Sequence, residues 1–68
     1  MLNPTDDERS FLLWLHVRGG NLALQGNIGL LKIDRLIPEY VTQHSTGRDT
    51  AHFRLTEKGR RLVDQLPT

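Results

Sequence analysis

Cysteine is absent from the chain, so neither a disulfide nor a thiolate zinc site can brace it. Aromatic residues are scarce, with two Phe, one Trp and one Tyr, and apolar residues fill only 37% of the 68 positions. A chain this short hides only about 60% of the surface its unfolded form exposes. One core is then the ceiling, its stability is marginal, and self-association is an available support. No apolar run approaches the roughly 18 residues of a membrane span. Residues 1–20 carry Asp6, Asp7 and Glu8 where an export signal would be basic. These absences predict one domain over residues 1–68, cytoplasmic and without membrane contact.

Charge is present but unevenly spread. Net charge is only +1, too little to suggest nucleic acid by itself. Arg9 and Arg18 are outweighed by Asp6, Asp7 and Glu8 in the first half. From Tyr40 to Arg61, by contrast, Arg48, Arg54, Lys58, Arg60 and Arg61 face only Asp49 and Glu57, and His44 and His52 lie in the same stretch. Positive charge thus collects where a phosphate backbone could be met.

Local patterns predict the elements. Thr5 and Glu8 have capping-box spacing before Phe11, Leu12, Leu13, Trp14, Leu15 and Val17, and Gly19–Gly20 stops the run, so residues 5–18 form a helix. Asn21 to Asn27 reads as a short strand or a single helical turn. Ile28 to Ile37 reads as a second helix limited by Pro38. Projected at about 100° per residue, Leu30, Ile33 and Ile37 take one side and Lys32 and Arg35 the other, leaving Ile28 and Leu31 as surplus apolar surface. Tyr40–Ser45 and Thr50–Leu55 are strand-like and flank the turn Thr46-Gly47-Arg48-Asp49, a hairpin signature. Two registers are open. Tyr40, Thr42 and His44 face the core with Ala51, Phe53 and Leu55, or a one-residue slip brings Val41 inward. Thr56 caps a last helix that ends near Leu66 and Pro67.

The stretch Phe53-Arg54-Leu55-Thr56-Glu57-Lys58-Gly59-Arg60-Arg61-Leu62 resembles the wing-to-last-helix junction of winged helix-turn-helix regulators of the MarR and PadR type. Leu55 ends a core strand, Thr56 caps the helix, and Gly59 removes a side chain where the helix packs closely on a neighbour. The resemblance implies an α+β fold, a shortened winged helix of about three helices with a hairpin wing in its C-terminal half. The helix-turn-helix pair has only Asn21 to Ile37 available, so its first helix is either one turn or replaced by a strand.

That resemblance implies binding of double-stranded DNA in transcriptional regulation. Lys32 and Arg35, with Gln25 and Asn27 near the start of their helix, would meet the major groove, where Arg pairs with guanine and Asn with adenine. Thr46, Arg48 and Thr50 at the wing tip and Arg54 on its flank would reach the backbone or minor groove. Lys58, Arg60 and Arg61 would add phosphate contacts. The rival reading is a protein-interaction module on the same fold, with Ile28 and Leu31 as a partner or homodimer surface. The sequence contains no P-loop, dinucleotide glycine pattern or nucleophile motif. In the register with Tyr40 inward, His44 and His52 point to opposite faces, and two histidines make a poor metal site. No enzyme activity, small-molecule substrate, metal or cofactor is predicted.

Overall fold

A computed structural model describes residues 3–26 and 31–66 of the chain. The first helix, α1, spans Asp6–Val17. Its capping box is complete: Glu8 N donates to Thr5 Oγ1 at 3.2 Å, and Thr5 N donates to Glu8 Oε1 at 2.8 Å. Asp6, Asp7 and Glu8 put negative charge at the positive end of the helix dipole. Phe11, Leu12 and Leu15, at helical spacing, are buried on its inner face. The helix stops where Gly19 and Gly20 take positive φ, and Gly20 N donates to Leu15 O at 2.9 Å.

Three strands follow: β1 (Asn21–Gln25), β2 (Val41–Ser45) and β3 (Thr50–Leu55). The ambiguous segment after α1 is therefore a strand. The sheet is antiparallel in the order β1-β3-β2, with β2 and β3 forming the expected hairpin and β1 adding on the far side of β3. Helix α2 (Glu57–Gln65) closes the chain, and its Thr56 cap accepts from Gly59 N at 3.0 Å. Phe11, Leu12 and Leu15 of α1, Leu62 and Val63 of α2, and Val41, Ala51, Phe53 and Leu55 of the sheet make one buried cluster. The result is a small α+β fold with two α-helices and a three-stranded antiparallel sheet among the described residues. No helix among those residues is long and apolar enough to cross a membrane.

The register is the slipped one. Val41 pairs with Leu55 and is fully buried, and Thr42 and His44 face outward rather than toward the core. Tyr40 is also buried, but it lies before the strand, where its N–H bonds back to Leu36 O at 2.8 Å. A turn residue can thus bury its ring without belonging to the strand's alternation.

The helix expected from Ile28 to Ile37 is not formed over its described part. Residues 32–37 contain only a 3-10 turn, Asp34–Leu36, and the Ile37–Pro38 peptide is cis. Lys32 takes φ +55°, the left-handed region, which breaks any continuous right-handed helix there. Ile33, Leu36 and Tyr40 are the buried residues of this segment, with Leu31 and Ile37 partly buried against the core. Their spacing of three and four mimics a helical stripe, yet one short turn is enough to point them inward.

Candidate nucleic-acid interface

The residues expected to read the major groove are dispersed. Gln25 is exposed at the end of β1, opposite Thr50. Asn27 lies outside the described residues, as does Ile28 of the expected partner surface. Lys32 is exposed beside Asp7, Ser10, Phe11, Trp14 and Leu31, which line a shallow cleft against α1. Arg35 is turned to a structural task. Its Nε donates to Glu8 Oε2 at 3.1 Å and its Nη2 to the Asn3 carbonyl at 3.2 Å. Lys32 and Arg35 are not carried on a helix, yet both line one cleft, beside Thr5 and the carboxylates of Asp7, Glu8 and Asp34.

Glu8 explains where Arg35 goes. Its side chain is only 2% exposed, and a buried carboxylate is costly unless each oxygen has a donor. Thr5 N takes one oxygen and Arg35 the other. The capping-box spacing announced Glu8 as a cap but gave no sign of its burial. We expect Arg35→Ala to leave Oε2 without its partner and to cost about 1–3 kcal/mol, read from urea unfolding of the two proteins. A loss below about 0.5 kcal/mol, as for surface pairs, would mean that water replaces the guanidinium without penalty.

Two of the three expected phosphate contacts on α2 are engaged locally. Lys58 pairs with Glu39 and sits 5.6 Å from the centre of the Tyr40 ring. Its hydrogen bond to the Glu39 carboxylate, aided by the attraction of that charge, holds its pKa above the ordinary lysine value. Arg61 pairs with Glu57 at 3.0 Å, one turn away. Arg60 has no carboxylate partner among the described residues, and its guanidinium packs near Gly20.

The hairpin residues are brought together as the sequence expected. Thr46 and Arg48 are exposed in the turn, and Thr50 and Arg54 lie on the outer face of β3. Thr46 N donates to Thr50 O at 3.1 Å, and Gly26 N to Asp49 O at 2.8 Å, so the turn is tied to both neighbouring strands. Arg54 Nε donates to Asn21 Oδ1 across β1 at 3.2 Å. The outer face of the sheet presents Asn21, Ala23 and Gln25 from β1, Thr50, His52 and Arg54 from β3, and Thr42 and His44 from β2. None of these is acidic.

The register with Tyr40 inward would have put His44 and His52 on opposite faces; in the slipped register that the fold adopts they are direct cross-strand partners on the same outer face. With Thr42 and Arg54 they line one open cleft. The choice of Val41 as the inward residue locates them, because it turns every even-numbered residue of β2 outward, and the sequence left that choice open. Among the described residues no three His, Asp or Glu side chains converge as metal ligands. No protein-family model, curated protein or solved structure matches the chain.

Proposed function

We propose that the chain is a reduced winged-helix protein that binds double-stranded DNA, in transcriptional regulation or as an accessory factor, and does so through its hairpin rather than a recognition helix. The observation that carries this reading is the outer face of the sheet, free of carboxylates, which leads into the hairpin turn that carries Arg48 and Asp49. The strand order β1-β3-β2, with the β2–β3 hairpin after an N-terminal helix, is compatible with this reading. Thr46, Arg48, Thr50 and Arg54 supply donors to phosphate, with Arg60 as a further unpaired cation among the described residues. Base reading is weak in this arrangement, since Arg35 is held by Glu8. Affinity without strong sequence preference follows, which is what phosphate contacts alone provide.

Titration of labelled duplex DNA against salt tests the reading. Each phosphate contact contributes a slope of about −0.9 in log K against log salt. Arg48→Ala is expected to weaken binding to all sequences and to reduce that slope by about 1. No binding at about 50 mM salt, where such contacts are strong, would defeat it.

A second reading has one observation in its favour. Trp14 is 39% exposed and Val17 80% exposed on α1, and Trp14 shares its cleft with Leu31. This apolar surface suits a protein partner or a second copy of the chain. A rise in sedimentation coefficient with concentration, lost in Trp14→Ser, would favour it.

A further inference from the structure

We infer that Thr42, His44, His52 and Arg54 form a phosphate cradle whose affinity is set by pH. The inference deepens the nucleic-acid reading by naming the group held on the outer face. It also stands if that phosphate is free rather than part of a nucleic-acid backbone.

The register puts His44 directly opposite His52 and Thr42 directly opposite Arg54. Directly opposed residues hold their Cβ atoms about 4.5–5.5 Å apart, and these four residues line one cleft. Arg54 is oriented by its Nε–H bond to Asn21 Oδ1, and its terminal nitrogens have no protein acceptor among the described residues. The Thr42 hydroxyl donates to the Arg54 carbonyl at 3.4 Å, so Thr42 lines the cleft without supplying a phosphate donor. The guanidinium and protonated imidazoles match the oxygens of a phosphate, with the planar fork as the anchor. A cation would be repelled by Arg54, which argues against reading the two histidines as metal ligands.

Histidine is the side chain that ordinarily changes charge between pH 5 and 8. An anion bound between the two rings favours their protonated forms. Bound phosphate therefore takes up protons, and affinity rises as pH falls. β1 contributes no titratable group to this face, only Asn21, Ala23 and Gln25. β3 contributes Arg54, charged throughout, and the nearby turn contributes Arg48 and Asp49. The pH response falls to the two histidines.

The test uses the full chain and two probes at constant ionic strength: a short labelled DNA duplex, whose phosphodiesters keep their charge across the range, and inorganic phosphate at pH 6. Uptake of one proton gives about a tenfold gain in affinity per pH unit within the titrating range. Wild type is expected to bind the duplex at least about tenfold more tightly at pH 6 than at pH 8. The His44→Gln, His52→Gln double variant should lose that difference, and Arg54→Gln should weaken binding at both pH values. All three positions face outward, and thermal melts of the variants confirm that the fold persists. Should the duplex fail to bind while phosphate shifts the ring resonances of both histidines, and fails to do so in Arg54→Gln, the DNA reading falls and the cradle holds free phosphate. Duplex binding that depends on Arg48, yet is equal at both pH values and in the double-histidine variant, overturns the cradle and leaves the DNA reading intact. If neither probe binds, both are overturned.

Discussion

Gly59→Ala is expected to unfold much of the protein at room temperature. Helix α2 crosses the start of β2 so closely that a Cβ on Gly59 would overlap the Tyr40 carbonyl oxygen, and it would stand 2.8 Å from Leu55 Cδ1. The leucine end can turn aside. The carbonyl cannot, because it accepts the Thr56 N–H at 3.0 Å, while the Thr56 hydroxyl donates to the Glu39 carbonyl at 2.7 Å. Relief therefore requires moving the helix off the sheet, and overpacking of that kind costs about 3 kcal/mol. A small domain without staples holds only about 3–5 kcal/mol in total, and each kcal/mol moves Tm by roughly 4–8 °C at this size. Thermal melting followed by circular dichroism reads the effect directly. Gly47→Ala is the control, since its Cβ would meet only the Thr50 side chain, at 3.5 Å and beyond. A Gly59→Ala melt as close to wild type as the Gly47→Ala melt would mean that the helix has room to shift.

The same junction shows what the sequence makes legible. Thr5 with Glu8, Thr46 to Asp49, and Leu55-Thr56 followed by Gly59 are local signals, and each marks the element it announced. Their geometry is decided within four residues, so no knowledge of distant partners is needed. The nature of Gly59's neighbour was not local: the close approach was expected, but the Tyr40 backbone lies 19 positions away in sequence. Arg35 illustrates the limit better. Its partner Glu8 is 27 residues distant, and its own segment carries apolar spacing that suits a helix and a 3-10 turn equally. An arginine on an apparent helix face thus read as a groove contact, while in the fold it satisfies a buried carboxylate. The cross-strand histidines stayed hidden for a related reason. Tyr40 and Val41 are both apolar enough to begin an inward alternation, and only the packed core selects Val41. The hairpin turn was legible because a turn flanked by strands fixes its own exposure.

Phe53→Ala is expected to abolish the folded state or leave it a minor population. Phe53 lies on the central strand and is fully buried. It is flanked by Leu22 on β1 and Gln43 on β2, and its ring meets Phe11 of α1 edge-on, with centroids 5.3 Å apart. It therefore joins the first helix to the middle of the sheet in a chain that has only two phenylalanines. Removing a buried Phe costs about 3–5 kcal/mol through lost transfer energy and the cavity left behind. That range spans the whole stability such a domain can hold. Phe53→Leu keeps most of the volume and should remain folded with a lowered Tm. Its neighbour His52 is on the opposite face of the same strand, so His52→Ala should barely change the melt. Trp14 offers an independent probe, since its ring stands edge-on to Phe11 at 6.2 Å and its emission will follow loss of that contact. If Phe53→Ala and His52→Ala melt alike, β3 does not present the faces described, and the outer cleft with its two histidines goes with them.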